Sequence, residues 1–85
     1  MNFLHWEIDA GPENLVEVTL DNQANVLLLD NSNFQKYSQQ EKYNYFGGLA
    51  KKSPVKLKPP SKGHWHVVVD LGGYGGTVRA STTVH

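Results

Sequence analysis

The sequence predicts an all-β domain: a small two-sheet β-sandwich of about six or seven strands, with at most one short helical segment near residues 31–40. Apolar and polar residues alternate through most of the chain, and β-branched and aromatic types fill the alternating runs, which is the period-two mark of half-buried strands. Turn-forming clusters of Gly, Pro, Asn and Asp separate these runs roughly every eight to twelve residues. No helical stretches lie between the strands, which a βαβ fold would require.

Leu4, Trp6 and Ile8 share one face of a first strand and Phe3, His5 and Glu7 the other, and Ala10-Gly11-Pro12 ends it as a turn. In a second strand Val16, Val18 and Leu20 point one way. The polar connection Asp21-Asn22-Gln23-Ala24 leads to Asn25–Asp30, so these two strands are expected to pair as a hairpin. Val26-Leu27-Leu28-Leu29 has no polar face, which predicts a strand covered on both sides. From Asn31 to Lys42 the alternation stops. Ser32 followed by Gln35 resembles a capping box, and Phe34 with Tyr37 has helical spacing, so one or two helical turns are expected. Tyr43-Asn44-Tyr45-Phe46 returns to extended character, and Gly47-Gly48 is expected to break it. Ser53–Leu57 reads as a short strand with Pro54 near its start, a position suited to an edge. Lys58–Gly63 is a turn feeding the strongest strand, His64–Leu71; the glycines at 72, 73, 75 and 76 around Tyr74 close it, and Thr77–Val84 is the last strand.

Eighty-five residues make one domain, 1–85, with no internal repeat and no linker. The absence of cysteine excludes a disulfide scaffold, thiolate metal sites and a cysteine nucleophile, and it fits a reducing compartment. No apolar run approaches the roughly eighteen residues of a membrane helix, and the first thirty residues hold no Lys or Arg for a signal peptide's basic segment, so a cytoplasmic location is expected. Zero net charge hides an asymmetry. Residues 1–30 carry six acids (Glu7, Asp9, Glu13, Glu17, Asp21, Asp30) and no Lys or Arg, whereas 31–85 carry all eight basic residues with only Glu41 and Asp70. Opposite-sign strands pairing across a sheet would mix these charges; otherwise the molecule has an acidic and a basic face.

Three constellations invite chemistry. In His64-Trp65-His66-Val67-Val68-Val69-Asp70 the alternate residues 64, 66, 68 and 70 share a strand face, so two imidazoles and a carboxylate project together, a possible metal set. The spacing resembles the first metal motif of the cupins, but Asp70 stands where that motif has glutamate and the second motif has no counterpart. The competing reading is a solvated strand face, so neither a bound metal nor a cofactor is expected. The glycines around Tyr74 look superficially like a phosphate cradle, yet strand rather than helix follows them, which favours a turn. Lys36, Lys42, Lys51, Lys52, Lys56, Lys58 and Lys62 interleave with Tyr37, Tyr43, Tyr45 and Phe46, a composition shared with single-stranded nucleic-acid binders, against which stand a single arginine and a pI near 6.9. No nucleophile elbow or paired-carboxylate spacing is present, so no enzymatic activity is expected.

Phe3-Leu4-His5, Asn33-Phe34, Tyr45-Phe46-Gly47-Gly48, Ser53-Pro54-Val55, Gly63-His64-Trp65 and Val69-Asp70-Leu71-Gly72-Gly73 together make nearly the whole chain resemble a small bacterial family catalogued as domain of unknown function 1883. The resemblance implies a compact β-sandwich of unassigned activity. The family's joining to TIR-type effector domains in some bacteria implies a recognition or regulatory module. It carries no established ligand residues. The expectation is therefore a binding or interaction module with a protein partner or a second copy of itself. Single-stranded nucleic-acid binding through 36–62 and a cupin-like metal site on His64, His66 and Asp70 are the alternatives. Tyr45, Gly47, Gly48, His64, His66, Asp70 and Tyr74 are the expected binding residues, because loops and the exposed face of a rigid strand are where binding sits.

Overall fold

The computed structural model describes residues 3–72 and 76–85. Its elements in chain order are β1 (Phe3–Ala10), β2 (Val16–Leu20), β3 (Ala24–Leu29), α1 (Asn31–Ser38), β4 (Phe46–Ala50), β5 (Val55–Leu57), β6 (Gly63–Asp70) and β7 (Ala80–Val84). Two antiparallel sheets pack face to face, one ordered β1-β6-β3-β4 and the other β5-β2-β7. This is the two-sheet β-sandwich with one short helix that the alternation predicts. Among the described residues no helix is long and apolar enough to cross a membrane.

The sandwich core follows from strand parity. Val16 and Val18 of β2, Val26 and Leu28 of β3, and Trp65, Val67 and Val69 of β6 close on one another between the sheets, with Trp6 and Ile8 of β1 packed beside them. A second apolar cluster lies on the opposite side of the four-stranded sheet. There Leu27, Leu29 and Val68 are covered by Tyr37 of α1, with Phe3, Phe34 and Tyr43 around them. The unbroken run Val26–Leu29 is thus buried on both faces, as expected.

The expected hairpin between β2 and β3 does not form, because the two strands belong to different sheets. A three-residue connection is long enough to cross the ~10 Å between packed sheets. The three-stranded sheet, moreover, turns a solvated outer face bearing Thr19, Lys56, Ser81 and Thr83 to solvent, where β3's second apolar row would be left uncovered. The helix spans two turns, but its cap is Asp30 rather than Ser32: Asp30 Oδ1 accepts from the Asn33 backbone N–H at 2.8 Å. Gly47 and Gly48 lie inside β4 instead of breaking it. At Gly47 φ is +109°, and a Cβ there would collide with the Val26 carbonyl oxygen, so this strand approaches β3 in a way only glycine permits.

A buried bond helps fasten α1 to the sheet. Tyr37 Oη donates to Asp70 Oδ2 at 2.6 Å, while Asp70 Oδ1 accepts from Asn25 Nδ2 at 3.0 Å and from the Gly72 backbone N–H at 2.9 Å. A carboxylate 7% exposed is tolerable only with such donors. Tyr37→Phe removes a donor and leaves one buried oxygen short of its partner, so chemical denaturation should show a loss of about 1–3 kcal/mol with an unchanged slope. An unchanged midpoint would mean that the bond contributes nothing.

Candidate functional site

Six of the seven expected binding residues fall in two separate places; Tyr74 lies outside the described residues, as do Gly73 and Gly75 beside it. His64, His66 and Asp70 sit on β6, facing away from the sandwich core. Tyr45, Gly47 and Gly48 belong to the approach to β4 and to the strand itself.

The β6 face is not the evenly solvated surface that alternation alone suggests. α1 covers it progressively, so Asp70 and His66 are buried and His64 is exposed. Asp70 is committed to Tyr37, Asn25 and Gly72 and does not join the two imidazoles in a metal set. The acids nearest the imidazoles come from β1 instead. The register sets Glu7 opposite His66 and Asp9 opposite His64, and this long-range pairing is what sequence spacing within β6 cannot reveal.

The two histidines have opposite electrostatics. His64 donates from Nδ1 to Asp9 Oδ1 and from Nε2 to Glu7 Oε1, both at 3.0 Å. Two carboxylate acceptors require both ring nitrogens to carry protons, and those bonds, Asp9's first and Glu7's second, raise its pKa above the ordinary 6.5. Glu7 is lowered in return, chiefly by its bond to His64. His66 Nε2 faces Asn31 Oδ1, an acceptor, so this nitrogen holds the proton and Nδ1 accepts from His5 Nε2 at 2.8 Å. Phe34 stacks on both rings of this pair, its centroid 4.3 Å from each, at 14° to His5 and 2° to His66. Burial, then the nearby His5, lowers the His66 pKa below the ordinary 6.5. His5, Glu7, Asp9, Asn31 and Phe34 were not expected at a site; the equal parity of His5, Glu7 and Asp9 on one strand was the available signal.

The two cavities that touch this face do not bring His64, His66 and Asp70 together. A shallow cavity beside His64 is lined by Asp9, Glu13, Asn14 and Lys62, and another beside Asp70 by Phe3, Leu71 and Val78.

The second place is the rim of the four-stranded sheet. Among the described residues β4 pairs only with β3, and its other backbone edge has no strand beside it. Tyr45 and Phe46 are 48% exposed and Leu49 is 57% exposed. Lys42, Lys51 and Lys52 stand exposed around them. Strand pairing mixes the two signs at one register position, Glu17 opposite Lys56, and among the described residues every ion pair is between a histidine and a carboxylate. The lysines of this edge therefore have no acidic partner within ion-pair distance. Of the aromatics in the basic segment, Tyr37 is buried and Tyr43 packs edge-on against it at 5.2 Å, which leaves Tyr45 and Phe46 as the outward rings.

A family model described as Domain of unknown function (DUF1883) matches residues 1–85. No curated protein and no solved structure matches the chain.

The contrast between the imidazoles has a measurable sign. A histidine with a lowered folded pKa costs stability as pH falls through the unfolded value, whereas one with a raised pKa contributes stability that is present below 6.5 and lost as pH rises through its folded value. A side-chain NMR titration should place the His64 midpoint above 6.5 and the His66 midpoint below it. Coincident midpoints, or the reverse order, would contradict the hydrogen-bond pattern.

Proposed function

Since the chain belongs to the family described as Domain of unknown function (DUF1883), a description that names no activity, we propose that it is a non-catalytic interaction module that takes an extended acidic segment of a protein partner onto the free edge of β4. The observation that carries this reading is the edge itself. An unpaired strand is a template for another strand, and globular proteins normally blunt it or cover it. Here β4 leaves its outer edge unpaired while exposing Phe46 and Leu49. An added strand would take its affinity from main-chain hydrogen bonds and its specificity from side-chain contacts on alternate residues.

Charge selects the occupant. Lys42, Lys51 and Lys52 border the edge and Lys56 lies on β5, the neighbouring strand of the other sheet. An acidic segment complements this surface, and the complementarity speeds encounter and excludes basic partners. Absence of catalysis rests on the other cluster. The nitrogens of His64 and His66 face Asp9, Glu7, His5 and Asn31, and no serine, threonine or lysine is among those partners.

Selection from a library of random extended peptides should enrich acidic sequences with alternating apolar residues. In a ¹⁵N titration the selected peptide should shift the amides of Phe46–Ala50. Lys51→Glu combined with Lys52→Glu should weaken binding at least tenfold without changing the melting temperature. Enrichment without acidic bias, shifts confined to other strands, concentration-dependent dimerisation through β4 in place of peptide binding, or salt-sensitive binding of an oligothymidylate alone would overturn the proposal.

A further inference from the structure

The fold juxtaposes, at the opposite edge of the same sheet, a set of side chains that the peptide-binding reading does not use. We propose that Glu7, His64 and His66 form a binding site for one divalent transition-metal ion of the zinc type, bridging β1 and β6. One ligand atom from each residue, a carboxylate oxygen and two imidazole nitrogens, lies within 4.8 Å of the others. Tetrahedral coordination with metal–ligand bonds near 2.0–2.1 Å needs donor atoms roughly 3.3 Å apart. Glu7 Oε1 and His64 Nε2 are already 3.0 Å apart. The third donor closes by rotation of side chains.

The rigidity comes from the sheet. His64 and His66 are two residues apart on one strand and therefore on one face, and the antiparallel register sets Glu7 directly opposite His66. Three ligands are thus held by a β-ladder without help from a loop. The surrounding hydrogen bonds match those that support metal-bound imidazoles. Asp9 holds Nδ1 of His64 and so aims Nε2 at Glu7. Asn31 holds Nε2 of His66 while Nδ1 faces His5, so loading the site exchanges one of these two bonds for a metal bond.

Charge and exposure fit the same occupant. The proton on His64 Nε2 bridges it to a carboxylate, and a cation in its place satisfies both groups, with the Asp9 carboxylate adjacent. Two nitrogen donors and one oxygen favour zinc and its transition-metal neighbours over magnesium or calcium, which take oxygen ligands. Glu7 and His64 keep 58% and 38% of their side-chain surface exposed, so the ion has a route in. Three protein ligands leave a fourth position for water or for a donor atom from a partner.

The test is calorimetric titration of zinc chloride into the untagged 85-residue chain, with imidazole NMR signals followed in parallel. One equivalent should bind, with shifts at His64 and His66, and magnesium should produce neither heat nor shift. Glu7→Gln and His64→Gln alter exposed side chains and should retain the fold while weakening zinc binding at least tenfold. His85→Gln is the control, because that imidazole lies beside Glu17, 3.5 Å away, on the other sheet. Absence of binding at millimolar zinc, or equal losses in His85→Gln and His64→Gln, would overturn the assignment.

Discussion

The four-stranded sheet must be covered on both faces, and the buried bond between Tyr37 and Asp70 holds the second cover in place. β3 and β6 are the inner strands of that sheet, and apolar residues on both of their faces are buried. One row meets the other sheet. The second row is shielded by α1 together with Phe3 and Tyr43, and a two-turn helix has too few intrahelical bonds to persist alone. Its position therefore depends on what it touches. Asp30 starts it directly after β3, and Tyr37 reaches the far end of β6, so the helix is tied at both ends to strands that are themselves hydrogen-bonded neighbours.

That placement determines the electrostatics of the outer face. Asn31 and Phe34 come over His66, burying that imidazole while His5 beside it stays exposed, and Asn31 provides one oxygen acceptor. Two residues away on the same strand, His64 lies exposed beyond the helix, where the acids of β1 bond it directly. The edge of the helix is thus an electrostatic boundary: identical side chains on either side have their pKa values shifted in opposite directions, raised at His64 by its carboxylate partners and lowered at His66 by burial. Exposed charge pairs contribute little to stability, so His64 and its two acids are better understood as a polar arrangement at the margin of the fold than as part of what holds it together.

Much of this architecture was legible in the chain. Alternation located the strands and assigned their faces, and Val26–Leu29 announced a doubly covered strand before any helix had been placed over it. The sheet to which each strand belongs was not legible, because Asp21–Gln23 serves equally as a hairpin turn or as a crossing between layers. The site was legible only in half. His64 and His66 share a face by parity alone, but their acidic partner was taken to be Asp70, on the same strand, when the register supplies Glu7 and Asp9 from β1. Periodicity orders residues within a strand and is silent about the neighbour across the ladder. Burial misled in the same way: a face that alternates as solvated becomes an interior once eight residues of helix lie across it.

The segregation of charge along the sequence survives folding because of strand order. β1, with Glu7 and Asp9 on its outward face, forms one edge of the larger sheet, and β4, bordered by lysines, forms the other. Two edges of opposite sign on one sheet are the geometry of a head-to-tail chain of copies, a heterologous contact that has no natural end. The acidic edge is not left bare. His64 sits between Glu7 and Asp9 and, as an imidazolium, cancels part of their charge; a bound cation would cancel more. At the β4 edge no acidic group lies within ion-pair distance of the lysines. The asymmetry is therefore one-sided, with the acidic margin occupied internally and the basic margin left for something outside the chain, which is why the β4 reading calls for a partner other than a second copy.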